Sequence, residues 1–251
     1  MVFSFPGRGA SALPRILSAE SAGNFFWNAE NGLTTAGYVI SGIAVFCILI
    51  FIAILYDRKN SKKFSVKQLV FAAVAIALGM VLSNFKLYRF PQGGSITWFS
   101  MLFVTLVGYW FGPGIGIMAG VAYGLLQMII DPYIISLPQL LIDYPLAFGA
   151  LGLSGFFSRK KNGLLPGYIC GVLGRWAFAT LSGVVFFGMY ATDIEMYGMT
   201  LKVGNSPLLY SLTYNGIYLL AEGILTVILL AIPPVNQAMQ YIRRQARSET
   251  R

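Results

Sequence analysis

The chain has 251 residues, of which 57% are hydrophobic and only 11% charged, with a formal net charge of +9. Soluble domains carry about 25% charged residues, so this composition belongs in a lipid bilayer. The absence of histidine removes Ser-His-Asp and Cys-His catalysis and the common histidine-containing zinc sites, and no paired-carboxylate motif replaces them; neither an enzyme nor a metal site is expected.

Of the 18 Lys and Arg, 12 fall in three clusters, Arg58 to Lys67, Arg159 to Lys161 and Arg243 to Arg251. Each flanks an apolar run, which is the positive-inside pattern rather than a groove for nucleic acid. Cys47 and Cys170 lie in apolar segments and read as packing residues.

Residues 1–35 are rich in Gly, Ser, Ala and Asn. They are expected to form an extracellular tail without a signal peptide, since no apolar core follows a basic start. Residues 36–57 contain a first span, Tyr38 to Tyr56, stopped by a basic cluster that assigns its end to the cytoplasm. A core over 66–232 then supplies Val66 to Phe85, Ile96 to Phe111, Ile115 to Ile130, Gln139 to Phe157, Leu164 to Tyr190 and Pro207 to Ile232. Residues 233–251 are read as a basic cytoplasmic tail. Seven passages put every basic cluster on one side, with the amino terminus outside and the carboxyl terminus in the cytoplasm. Gly112, Gly116, Gly120 and Gly124 form a four-residue stripe suited to close helix packing.

Three ionisable residues lie within the spans, Asp143, Arg175 and Glu222, and each is costly enough in lipid to suggest a function. Glu222 shares a helix face with Tyr210, Tyr214, Tyr218 and Asn215. Trp98, Tyr133, Tyr144, Phe187 and Tyr190 are expected near the same outer surface. Such rings could equally form an interfacial aromatic belt. With a carboxylate and an amide among them, they suit a flat heteroaromatic solute, held by stacking and cation–π contacts and oriented by the polar groups.

The segments Pro91-Gln92-Gly93-Gly94-Ser95, Asp131-Pro132-Tyr133, Gln139-Leu140-Leu141-Ile142-Asp143-Tyr144-Pro145-Leu146-Ala147-Phe148 and Tyr210-Ser211-Leu212-Thr213-Tyr214-Asn215-Gly216 together resemble the thiamine-binding S-component of energy-coupling factor (ECF) vitamin transporters, over about residues 66–232. The resemblance implies an all-α integral membrane protein: a six-helix S-component core, here with one extra N-terminal transmembrane helix. It implies a substrate-binding subunit of the bacterial cell membrane, without enzymatic activity or a cofactor of its own. Its partners would be a transmembrane coupling subunit and two ATPases that alone use ATP. Carried over by position, Asp143 would hold the aminopyrimidine, Tyr133 and Tyr210 would contact rings, Asn215 would make a polar contact, and Arg175 would be the basic residue of the fifth core helix. Tyr144, Phe187, Glu222 and Trp98 complete the expected substrate site.

Two positions depart from the family pattern, Ala179 for a histidine and Phe187 for a stacking tryptophan, and they keep pyridoxine or hydroxymethylpyrimidine open as alternative ligands. Ala73 and Ala77, on the first core helix, are the expected partner-docking pair, with packing inside the bundle as the competing account. A stand-alone proton-coupled transporter titrating Asp143 and Glu222 is a rival from a different class. No Gly-x-x-x-x-Gly-Lys-Ser/Thr segment is present, so ATP use would require partners.

Overall fold

In the computed structural model the described residues are 27–28, 32–58, 65–188, 193–196, 198–204 and 206–248. Most of the expected tail, and Tyr190, lie outside them. The chain divides at Ser41/Gly42. The first unit carries a short antiparallel pairing of Trp27–Asn28 with Gly32–Leu33 and the opening turns of helix α1 (Thr35–Arg58).

The second unit is a helical bundle with an apolar core whose outward faces are apolar too, while the aromatic and polar side chains of helix α7 (Pro207–Ala231) face inward. The reason lies in the sequence of α7. Leu220, Ile224 and Ile228, at four-residue spacing, are exposed, whereas Tyr210, Tyr214, Tyr218, Glu222 and Thr226 on the other face are buried. Among the described residues six helices are long and apolar enough to cross a bilayer: α1, α2 (Val66–Ser83), α4 (Pro113–Ile130), α5 (Leu137–Phe157), α6 (Leu164–Phe186) and α7. Helix α2 starts in a capping box: Gln68 N donates to Ser65 Oγ at 3.2 Å, and Ser65 N donates to Gln68 Oε1 at 3.1 Å.

The expected span Ile96 to Phe111 is corrected. Ser95–Thr97 is strand β2, paired antiparallel with β1 (Lys86–Arg89), and helix α3 runs only over Ser100–Phe111. Twelve residues rise about 18 Å, less than the ~30 Å hydrocarbon layer. The passage is completed by the hairpin strand, so α3 begins inside the bundle.

Helix α5 is irregular for a reason written in its sequence. Pro145 cannot donate a backbone hydrogen bond and crowds the preceding turn, and the helix widens to a π-turn over Ile142–Leu146 before tightening to a 3-10 stretch over Ala150–Phe157. The glycine stripe of α4 makes room for this shape. A Cβ at Gly124 would lie 2.7 Å from the carbonyl carbon of Tyr144, and one at Gly120 would lie 2.9 Å from Gly149 Cα. These glycines therefore act in helix packing, as their spacing predicts.

Helix α1 keeps most of its length lipid-facing, with Ile48, Phe51 and Leu55 exposed. Phe46 reaches the core, meeting Phe178 of α6 edge-on at 5.8 Å. Between α6 and α7, β3 (Ile194–Met196) pairs with β4 (Met199–Leu201). The expected basic tail is largely helical: α8 (Pro233–Arg247) follows α7 directly and packs Val235, Met239 and Ile242 against the core.

Candidate ligand-binding site

The end of the bundle marked by the β1–β2 hairpin holds a cavity of about 130 Å³ between α4, α5, α6 and α7. Its geometry starts from the π-turn, which carries Asp143 and Tyr144 in successive positions and presents both to the cavity. π-Turns inside helices are frequent at functional sites. Gln139, one turn earlier, donates from Nε2 to Asp143 Oδ2 at 2.6 Å and to the carbonyl of Tyr133 at 3.0 Å, and its Oε1 accepts from Ile135 N. Tyr144 Oη accepts from Tyr133 N at 2.8 Å and donates to the carbonyl of Asp131 at 3.1 Å. The same helix thus sets the carboxylate and pins the loop above it.

That loop and the hairpin make the roof. Tyr133 stacks on Phe187 (centroids 5.8 Å apart, planes at 24°). Gly93 has φ +87°, and a Cβ there would meet the Tyr133 ring at 2.9 Å. A Cβ at Gly94 would strike Tyr214 Oη and the Tyr218 ring, both at 2.9 Å, and Gly94 N donates to Tyr214 Oη at 3.1 Å. The Gly-Gly pair is therefore a close-approach device under aromatic rings. Asp131 clamps the hairpin to the end of α4 by pairing with Lys86 and with Arg89 (2.8 Å). Its carboxyl titrates below the usual range: burial alone would raise it, but hydrogen bonds and charge from Lys86 and Arg89 prevail.

The floor explains Glu222. Helix α3 starts inside the bundle, where its first N–H groups have no water to meet. Glu222 Oε1 accepts from Met101 N at 2.9 Å and from Ser100 Oγ at 3.1 Å, and Oε2 accepts from Thr97 Oγ1 at 2.5 Å. A carboxylate at a helix amino terminus is also favoured by the helix dipole. Glu222 lines the cavity, but its oxygens are engaged by the protein. Asn215 is similar: Nδ2 donates to the carbonyls of Ala179 (3.1 Å) and Ser211 (2.9 Å), and Oδ1 accepts from Tyr218 Oη at 2.8 Å.

The structure therefore brings Asp143, Tyr133, Tyr144, Arg175, Phe187, Tyr210, Asn215 and Glu222 to one cavity. Trp98 is the correction. It does not line the cavity; it is 40% exposed and packs on Phe99, whose φ of 55° turns the chain at the hairpin base. Among the described residues that line the cavity, Ser211 Oγ is the buried polar atom without a hydrogen bond, and Asp143 is held through Oδ2 by Gln139. Arg175 has no ion pair there and sits over the Phe148 ring at 3.9 Å. Ser211 is 1% exposed and faces Gly183, whose bare Cα leaves space for the hydroxyl. Ser211, Gln139, Thr97 and Ser100 were missed as site residues. Of these, only Gln139 carries a sequence signal, its four-residue offset from Asp143.

A bundle of apolar helices around a partly open cavity with an aromatic roof and a buried carboxylate defines a multi-pass membrane protein with room for a small solute. The family model described as Thiamine transporter protein (Thia_YuaJ) matches residues 69–242, and the chain belongs to that family. It is 32% identical over 177 residues to Thiamine transporter ThiT of Bacillus subtilis (strain 168), a match spanning 65% of this chain and 85% of that one. It is also similar to the solved structure of ThiT from Listeria monocytogenes, with TM-score 0.52 and 27% identity over 66% of this chain and 94% of that chain. The family consists of transporters rather than enzymes.

Proposed function

We propose that this chain binds thiamine and delivers it inward as the S-component of an ATP-driven ECF importer. The observation that carries the reading is Asp143, held by one oxygen on a π-turn and facing a ring-walled cavity. A carboxylate there can accept hydrogen bonds from an aminopyrimidine, and charge-assisted bonds of this kind are among the stronger ones. With its carboxylates ionised, the cavity lining carries Asp131, Asp143 and Glu222 against Lys86 and Arg175, a formal charge of −1. That sign suits the thiazolium cation, and the tyrosine faces add cation–π attraction.

The volume favours a second ligand reading. About 130 Å³ is close to the ~150 Å³ cavity that admits benzene, so one ring fits beneath the hairpin. Hydroxymethylpyrimidine or pyridoxine would fill that volume, whereas the second ring of thiamine would extend toward the open side of the cavity. Ala179 and Phe187, smaller than a histidine and a tryptophan, leave room beside the ring.

For partner docking, the reading rests on Ala73 and Ala77. Both face outward on α2, while Ala72 and Ala75 turn inward. This pair offers a smooth surface to a transmembrane coupling subunit. The basic clusters support an amino terminus outside and a carboxyl terminus in the cytoplasm. The deciding experiment is thiamine uptake in cells lacking other thiamine importers, with and without the ATPase subunits. Uptake that needs the ATPases supports the reading. Uptake that survives their removal and collapses with the proton gradient overturns it in favour of a proton-coupled carrier.

A further inference from the structure

We infer that Ser211 is a specificity-determining residue: with Ala179, Gly183 and Asn215 it forms a notch in the cavity wall for an alcohol group on the side arm of the ligand ring. The inference rests on the heteroaromatic-ligand reading above and adds to it a group that the ligand carries. Ala179 and Gly183 lie one turn apart on α6, and Ser211 and Asn215 one turn apart on α7, so each pair shares a helix face. All four line the cavity. The two faces meet closely. Asn215 Nδ2 donates to the carbonyl of Ala179 at 3.1 Å, and a Cβ at Gly183 would lie 2.5 Å from Ser211 Oγ and 3.3 Å from Asn215 Nδ2. Any larger residue at position 183 would push the serine hydroxyl from its place.

Of the side-chain polar atoms in the notch, those of Asn215 are already engaged. Its amide donates to the carbonyls of Ala179 and Ser211, and its Oδ1 accepts from Tyr218 Oη. Ser211 Oγ has no hydrogen bond, although the residue is 1% exposed. A serine inside a helix often bonds the carbonyl one turn earlier, and this one does not. Among the described residues the buried hydroxyls without a partner are those of Tyr168, Thr180, Ser182 and Ser211, and of these only Ser211 lines the cavity. Its partner therefore comes from the cavity. A ligand that shuts water out of the notch has to supply the bond itself, because a buried hydroxyl left unpaired is costly.

The chemistry of the notch selects an alcohol. A serine hydroxyl both donates and accepts, so its best complement is a group that does both. None of the four residues is charged. Arg175, four residues before Ala179 on the same face of α6, also lines the cavity; it repels an ammonium from the notch and would draw a carboxylate to itself. A methyl group would fit beside Ala179 and Gly183 but would leave Ser211 unpaired. The hydroxymethyl arm of hydroxymethylpyrimidine and the hydroxyethyl arm of thiamine each end in the group that fits, so the notch separates these ligands from analogues of the same shape that lack the oxygen.

The test is calorimetric titration of the full-length protein with two ligand pairs. The first is thiamine beside its analogue with ethyl in place of hydroxyethyl, and the second is hydroxymethylpyrimidine beside its analogue with methyl in place of hydroxymethyl. In at least one pair the wild type should bind the alcohol about fivefold more tightly than its partner. In Ser211→Ala that ratio should fall to about one, through loss of affinity for the alcohol alone. In Asp143→Asn both members should weaken together and the ratio should persist, because the carboxylate holds the ring rather than the arm. Equal binding within both pairs by the wild type overturns the notch without any variant and leaves the thiamine reading standing. A ratio that survives Ser211→Ala, or that disappears in Asp143→Asn instead, overturns it as well and moves the alcohol elsewhere. Failure of the wild type to bind any of the four compounds overturns the thiamine reading, and the notch falls with it.

Discussion

Asp143 and Glu222 are two carboxylates at membrane depth with different work, and the difference lies in what their oxygens touch. Glu222 meets a peptide N–H and two hydroxyls of the hairpin–α3 junction; Asp143 meets the Gln139 amide, with the Ser182 hydroxyl beside it. Glu222→Gln should therefore act on stability, lowering it by about 2 to 3 kcal/mol, because hydrogen bonds to a charged acceptor weaken together. Thermal unfolding alongside ligand titration checks this, and normal stability with lost affinity would return Glu222 to the ligand. Ser211 is the opposite case, a buried hydroxyl without a partner in the cavity wall. Ser211→Ala should weaken ligand binding by about fivefold while leaving unfolding unchanged; calorimetry showing unaltered affinity would remove the hydroxyl from the site. A sequence shows that a carboxylate is buried but not which donors surround it. That is why Glu222 and Asn215 read as ligand groups and Ser211 passed unnoticed.

At the scale of elements, the hairpin is fastened by Asp131 to Lys86 and Arg89. A carboxyl whose folded pKa is depressed contributes above its unfolded value and loses that contribution as pH falls through the folded one. The hairpin should stay closed from neutral pH to about 5 and loosen below about 4. Amide exchange across Lys86–Thr97 in the ligand-free protein, corrected for the intrinsic pH dependence, would report it. Asp131→Asn should already be loose at neutral pH, and identical protection in both proteins would contradict the clamp. The hairpin itself was not legible, because Ser95-Ile96-Thr97 continues directly into an apolar run that reads as one span. The left-handed turn at Phe99 separates the two, and a bulky residue gives no warning of it. Helix α5 was located correctly from its apolar run, but Pro145 did not announce a π-turn rather than a kink.

For the whole molecule, six of the seven expected passages coincide with helices long enough to span, since their apolar runs are unbroken, and the seventh shortens to α3. The carboxyl-terminal helix was not legible, because it is held by bonds from Arg243 and Arg247 to the carbonyls of Trp110 and Ser158. Long-range partnerships of this kind leave no periodic trace. Ala73 and Ala77 face away from the bundle, so on the proposed function Ala73→Leu/Ala77→Leu should spare ligand binding while preventing co-purification with the proposed coupling subunit. Normal co-purification would place docking elsewhere. The face of α6 at Phe178 and of α5 at Gly149 is covered by Phe46 of α1, whereas α2 keeps its exposed row.

The central claim is a thiamine site organised by Asp143, and titration of the purified protein with thiamine, hydroxymethylpyrimidine and pyridoxine, beside Asp143→Asn, tests it most directly. Saturable binding of thiamine above the other two, weakened tenfold to a hundredfold by the substitution, is the predicted result. Thiamine affinity unchanged in Asp143→Asn, or no thiamine binding while a single-ring ligand saturates, would contradict it.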